Sequence, residues 1–215
     1  MTARIVDGTP HHARFVAWVA LEAARSHLPR GFWDFYLDGD EATCLHYLET
    51  LASTARPHLF HTSAYLIAEV DGRPAAGLCG YFDEELGYTA ISAVSPELEA
   101  RLGWSREQDE RGMARNATFF TVVPEHPPRT WIAENVATLP EFRRRGLVSQ
   151  LLEAVLKRGA ARGAGVADIS VFIGNDRAQL AYEKAGFRAV SEKRHAELER
   201  TWGTPGIRLL RRALP

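Results

Sequence analysis

The residues with the most to offer chemically lie between Trp131 and Ser149. A β-rich run from Thr130 stops at Leu139-Pro140, the loop Arg143-Arg144-Arg145 follows, and Gly146 closes it. From about Val148 the apolar residues Leu151, Leu152, Val155 and Leu156 recur at helical spacing. A strand, a basic glycine-containing loop and a helix start together suit an anion. The first-turn N–H groups of a helix lack acceptors, its dipole favours negative charge, and the arginines add to both. An arginine triplet on its own is an ordinary solvated run; its place between strand and helix points it toward a phosphorylated ligand. A second block, Asn175 to Phe187, offers Asn175 or Asp176 as a helix cap, a helical Tyr182 and a terminal Gly186-Phe187. Tyr182 serves equally well as a core aromatic on an amphipathic helix.

Other chemistries find less support. His11-His12 and the pair His58 and His61 lack a matching carboxylate or cysteine pattern, and no HExxH occurs, so no metal is expected. Cys44 and Cys79 form no CxxC and sit in apolar-periodic segments, as small reduced core residues do. Neither GxGxxG nor GxxxxGK[ST] appears, which disfavours dinucleotides and nucleoside triphosphates. The run Phe32-Trp33-Asp34-Phe35-Tyr36 is the remaining unusual cluster.

The elements that must position these residues follow from periodicity and punctuation. A short strand over Arg4 to Val6 precedes Thr9-Pro10, which reads as a cap with proline at the first helical position. That helix runs to about His27 and breaks at Pro29-Arg30-Gly31, and a second helix covers Glu41 to Ser53. Ser63 to Val70 and Pro74 to Asp83 form a hairpin about Asp71-Gly72. Ser95-Pro96-Glu97 starts a helix, Ala117 to Val123 reads as a strand, and Thr130 to Leu139 is a long strand. After the helix from Val148 to Gly163 or Gly165 come a strand over Val166 to Ile173 and a helix through Lys184. Strands over Phe187 to Ser191 and Ile207 to Arg211 complete the set. Alternating helices and strands argue for an α/β or α+β domain on a mixed sheet.

The chain of 215 residues suits one large domain, and 46% hydrophobic residues suffice for a full core. A formal charge of −1 argues against a general nucleic-acid or membrane-surface role. Phe15 to Ala24, an apolar run, is too short to span a bilayer and contains Glu22. The stretch from Met1 to Gly8 lacks the apolar core of a signal peptide, and the expectation is a cytoplasmic protein.

The run from Val136 to Val148 resembles the acetyl-coenzyme A motif of the GCN5-related N-acetyltransferases (GNATs): Arg or Gln, two residues, Gly, one residue, then Gly or Ala. Arg143 and Gly146 match, and Val148 departs from the small residue at the last position. The Asn175 to Phe187 block is similar to the family's cofactor-side helix, with its Ala178-to-Tyr182 spacing. The resemblance is specific over residues 130 to 190.

It implies a single domain with a twisted, mostly antiparallel mixed sheet of about seven strands, flanked by helices and splayed at the middle. Residues 1–83 would form the acceptor side, 84–128 a subgroup elaboration and 129–191 the acetyl-coenzyme A core. Val136, Ala137 and Thr138 would meet the pantetheine arm. Arg143, Arg144, Arg145, Gly146, Leu147, Val148 and Ser149 would surround the pyrophosphate, with Asn175 and Tyr182 on the same side. The implied reaction is direct acetyl transfer to a small-molecule primary amine, without metal, nucleic acid or membrane partner; a homodimer is compatible with it. Tyr182 would protonate the leaving thiolate. Glu134, which strict alternation puts on one face with Thr138, would be the base, with Asp83, Glu84 or water as rivals. Trp33, Tyr36 and Asp34 would contact the acceptor, with Asp38 nearby. Open alternatives are another acyl-CoA, an alcohol acceptor, or a silent acyl-CoA-binding module.

Overall fold

In the computed structural model, which describes residues 3–215, one seven-stranded sheet carries the molecule. Met1 and Thr2, the start of the N-terminal stretch read above, lie outside the described residues. The strands are β1 (Ala3–Asp7), β2 (Tyr65–Val70), β3 (Arg73–Phe82), β4 (Trp131–Thr138), β5 (Val166–Phe172), β6 (Arg188–Arg194) and β7 (Gly206–Ala213), in the order β1-β2-β3-β4-β5-β7-β6. Neighbours are antiparallel except β4 and β5, which run parallel. The hairpin turns on Asp71 and Gly72, both at positive φ, as an Asp-Gly turn between apolar runs demands.

Eleven α-helices stand among the described residues: α1 (Ala13–Arg25), α2 (Phe32–Leu37), α3 (Glu41–Ala52), α4 (Asp83–Leu86), α5 (Tyr88–Ser92), α6 (Ser95–Leu102), α7 (Arg106–Arg115), α8 (Ala117–Val122), α9 (Leu147–Ala161), α10 (Asp176–Lys184) and α11 (Ala196–Trp202). On one face of the sheet α9 buries Leu151, Leu152 and Val155 against Leu78, Trp131 and Ile169. On the other, α1 buries Val16 and Val19 against Ile67, Tyr81 and Ile132. Helices α1, α2, α3 and α6 share a third cluster around Trp33, Tyr36, Tyr47 and Leu98.

Ala117 to Val123 reads as a strand from its Thr, Phe and Val content, yet it forms helix α8. Two adjacent rings must face different neighbours there: Phe119 stacks on Trp202 at 5.2 Å, while Phe120 meets Tyr88 and Phe32. Burial of specific rings overrides intrinsic β-propensity. The 31–38 stretch, read as a connection, coils into α2, whose Asp34 carboxylate accepts from the Gly31 N–H at 2.8 Å and closes the helix start. Helices α4, α5, α7 and α11 carry no expectation from the sequence.

The sheet is regular except at its centre. Between Gly77 and Cys79 the partner β4 advances from Ala137 back to Glu134, one residue more than β3. This bulge is marked by Asn135 at a φ of 54°. Glu134 therefore shares a face with Ala137, and Thr138 pairs with Ala76 on the opposite face. Strict alternation, which put Glu134 and Thr138 on one face, does not hold across it. On its other side β4 pairs with β5 only through Trp131, Ile132 and Ala133. Beyond Ala133 the two strands part.

Helix α9 can approach the centre of the sheet because small residues meet it. A Cβ on Gly159 would lie 2.5 Å from Cγ of the fully buried Trp131. Gly159→Ala should therefore destabilise the protein by about 1–3 kcal/mol through overpacking, although alanine is the better helix former by about 1 kcal/mol. Urea unfolding checks the sign; a stabilised variant would contradict this packing.

Candidate active site

The parting of β4 and β5 opens a cleft of about 1020 Å³. One end is lined by the second half of β4, the 142–149 loop, the end of β5 and the start of α10. The other end is lined by α1, α2, α5, α7 and α8. The cleft thus runs between the two regions that the sequence separates by more than a hundred positions.

The loop is built to present backbone. Pro140 to Phe142 make a 3-10 turn, Arg144 and Gly146 take left-handed φ values of 63° and 74°, and α9 begins at Leu147. The helical ladder starts with the Gln150 N–H donating to the Gly146 carbonyl at 3.2 Å. The N–H groups of Leu147, Val148 and Ser149 precede it and face out of the helix start. A Cβ on Gly146 would meet no atom within 4 Å, so the cradle above it is open. Arg143 Nε donates to the Thr138 carbonyl at 3.2 Å, and Arg145 packs over the Phe142 ring while donating to the Glu141 carbonyl at 2.9 Å. Two of the three arginines thereby brace the loop. All three line the cleft. The Thr138 hydroxyl is buried with no hydrogen-bond partner among the described residues, a vacancy a polar ligand in the cleft would fill.

Across the split, Asn175 caps α10: its Oδ1 accepts from the Ala178 N–H at 3.1 Å, and its Nδ2 donates to Ser26 Oγ at 2.7 Å. This second bond ties the cofactor-like block to the end of α1. Tyr182 projects from α10 into the cleft, almost wholly buried among Ile169, Val171 and Phe187. Burial raises its hydroxyl pKa, so it stays protonated at neutral pH.

Glu134 opens onto the cleft midway. The Tyr81 hydroxyl donates to its Oε2 at 2.5 Å, and Glu134 meets no cation within ion-pair distance among the described residues. Desolvation outweighs that hydrogen bond and raises the carboxyl pKa. Tyr81 was not singled out from the sequence. It sits two residues beyond Glu134's partner Cys79 on the neighbouring strand, a diagonal that only the bulged register reveals.

At the far end Trp33 and Tyr36 both line the cleft, with Trp33 edge-on to Phe60 at 5.0 Å and Tyr36 stacked on Phe32 at 5.5 Å. Asp34 does not. Its carboxylate is held by Arg25 through Nη2 at 2.8 Å and Nε at 3.1 Å, and Arg25 keeps its pKa low despite burial. The alternation of a strand or loop does not apply in α2, where residue 34 faces away from residues 33 and 36. Asp34 is a brace between α1 and α2 rather than an acceptor contact. Asp38, Asp83 and Glu84 also lie off the cleft; the Glu84 carboxylate accepts from the Arg129 N–H at 2.7 Å. Rings from the 84–128 segment, Tyr88, Phe119 and Phe120, complete the far wall.

Comparison with known proteins settles the family. A model of the acetyltransferase (GNAT) family matches residues 27–187. The chain belongs to the GNAT acetyltransferase family. A search of curated proteins by sequence found no match. Among solved structures, an N-acetyltransferase from Staphylococcus aureus Mu50 superposes with a TM-score of 0.69 at 16% identity, covering 97% of this chain and 100% of that one. A structure described as an acetyltransferase gives 0.63 at 17% identity, covering 99% and 100%. A GCN5-related N-acetyltransferase from Kribbella flavida gives 0.58 at 13%, covering 99% and 98%. At these identities the likeness is one of fold. Among the described residues no cluster of three metal-ligating side chains occurs, and no helix is long and apolar enough to cross a membrane.

A raised carboxyl pKa has a thermodynamic consequence. Folded Glu134 holds its proton more tightly than the unfolded chain does. Stability is therefore fully present below the unfolded pKa and falls as pH rises through the raised folded value. Glu134→Gln keeps an acceptor for Tyr81 without the charge. It should unfold at higher temperature than wild type at pH 8, with the gap closing toward pH 4. Thermal melts across that range check it; a gap that widened on acidification would contradict the sign.

Proposed function

We propose that the protein is an acetyl-coenzyme A-dependent N-acetyltransferase that moves the acetyl group directly to a primary amine of a small molecule. The observation that carries this reading is the single cleft joining the amide-rich α9 start to a half-buried carboxylate with no ion-pair partner among the described residues. The α9 amides and Arg144 suit a pyrophosphate, the unpaired edge of β4 at Val136 to Thr138 suits an amide-bearing arm, and Asn175 holds the two walls in place. The thioester of acetyl-coenzyme A supplies the acetyl group. Glu134, with its raised pKa, takes the proton that the attacking ammonium must lose, and Tyr81 holds the carboxylate in place. As the amine nitrogen bonds to the carbonyl carbon and the C–S bond breaks, the Tyr182 hydroxyl supplies a proton to the departing sulfur. Trp33 and Tyr36 form the acceptor wall. The near-neutral surface charge supports a small-molecule acceptor over nucleic acid or membrane, and the reading includes a cytoplasmic setting.

An amine panel with acetyl-coenzyme A, following free thiol, tests the reading; binding of the cofactor without thiol release on any amine would mark a silent module instead. Tyr182→Phe should lower turnover by roughly 10²-fold with acetyl-coenzyme A affinity nearly intact, whereas near-normal turnover would leave Tyr182 a core aromatic. Gly146→Val combines a left-handed φ with a side chain over the cradle. Calorimetry should show acetyl-coenzyme A affinity falling at least about tenfold, the cost of about one charged hydrogen bond; unchanged affinity in the folded variant would move the pyrophosphate elsewhere.

A further inference from the structure

The far end of the cleft holds a second carboxylate that the proposed transfer does not use. Asp109 lies on α7, half-buried, and lines the cleft. Four other charges of that helix pair along its outer surface, Arg106 with Glu110 at 2.8 Å and Arg111 with Glu107 at 2.9 Å, and Arg115 at its end donates to the Phe35 and Tyr36 carbonyls at 2.6 Å. Of the carboxylates on α7 only Asp109 lines the cleft, on the face that carries buried Gly112 against the Tyr36 ring. It accepts the Tyr36 hydroxyl and meets no cation within ion-pair distance among the described residues. Glu22, also on the cleft wall, differs, because it shares Arg25, at 3.3 Å, with Asp34 and Glu41.

Two carboxylates on this part of the cleft, Glu134 on β4 and Asp109 on α7, therefore each accept a tyrosine hydroxyl and have no ion-pair partner among the described residues. Between and around them the lining is aromatic, with Trp33, Tyr36, Tyr88 and Phe120 among it. Desolvated anions need partners, and ring faces attract cations as well. A ligand with positive charge at both ends satisfies every one of these groups; a ligand with one amine and an apolar body leaves Asp109 unpaired.

We propose that Asp109 binds a second cationic group on the acceptor, so that the preferred substrate is a small dication, such as an α,ω-diamine, acetylated at the end nearer Glu134. This rests on the N-acetyltransferase reading. The unacetylated ammonium sits against Asp109 and Tyr36, and its distance from the reacting amine sets the preferred chain length. The segment 84–128, which supplies Asp109, is thereby the specificity element.

The test compares linear diamines of increasing length with monoamines of equal length and with phenethylamine, measuring both thiol release and, by calorimetry in the presence of coenzyme A, amine binding. Wild type should favour the best diamine over its matched monoamine by at least about tenfold in kcat/KM, the scale of one charged hydrogen bond. Asp109→Asn, which keeps an acceptor for Tyr36, should remove that advantage through the diamine KM, leaving kcat and monoamine kinetics little changed. Equal use of diamines and monoamines by wild type overturns the proposal, as does a preference for phenethylamine. A variant whose KM rises equally for both classes also overturns it, since Asp109 would then only brace α7. If the variant does not fold, the wild-type diamine-to-monoamine ratio decides. Diamine binding that depends on Asp109 without thiol release would uphold Asp109 as the ammonium site but overturn the dication as a substrate, together with the transferase reading. Turnover of monoamines alone would uphold the transferase reading and overturn the proposal.

Discussion

The parting of two parallel strands governs this molecule. β4 and β5 share three residue pairs and then diverge, while β4 stays bonded to β3 along its whole length. Buried backbone groups without partners are costly, so a sheet opened at its centre must give its exposed edge something to bind. The bulge at Asn135 lies at the same place and serves the same end. It rotates the strand so that Glu134 faces the α1 side and Thr138 the α9 side, which lets one strand line the cleft from both faces of the sheet. Everything else in the site is positioned against this opening. The α9 start lies beyond one lip, the capped start of α10 beyond the other, and the Asn175–Ser26 bond spans them.

The electrostatics of the cleft divide along the same line. Arginines gather at the α9 end and carboxylates at the other, so a ligand that is anionic at one end can meet a partner that is cationic. A near-neutral chain conceals this polarity, because charges of both signs cancel in the sum. The arginines and carboxylates that brace the fold pair with one another, as in Arg25 with Asp34 and Arg211 with Asp168, the latter at 2.7 Å on a fully buried aspartate. Glu134 and Asp109, which meet no cation within ion-pair distance among the described residues, face the cleft. Glu134 carries the cost of that arrangement as a carboxyl pKa raised by desolvation, a local loss of stability.

Sequence reasoning reached far into the C-terminal third, because the signals there are local. A strand, Pro140, the arginine loop, Gly146 and an amphipathic helix follow one another within the span of a few contacts, and Asn175 caps the helix it precedes. The hairpin about Asp71-Gly72 was legible for the same reason. What stayed hidden depends on register and on contacts between distant segments. A one-residue bulge leaves no mark in the apolar pattern of β4, so Glu134 and Thr138 were put on one face. Tyr81 could not be assigned to Glu134 without that register. Asp34 and Tyr36 looked alike in the sequence, and only the helical turn of α2 sends one to Arg25 and the other to the cleft. The 84–128 segment gave one helix start correctly and one false strand, since its short helices are fixed by which rings they bury. Asp109 lay within it unremarked, between charges that pair on the outer face.

The central claim is that acetyl-coenzyme A lies in the split, against the second half of β4 and the start of α9. Backbone hydrogen exchange with and without acetyl-coenzyme A tests it most directly, because the groups proposed to bind are amides. The account predicts slowed exchange at Val136 to Thr138 and at Gly146 to Ser149, with little change in the solvent-facing strand β6. Saturating binding that left both stretches unprotected would contradict it.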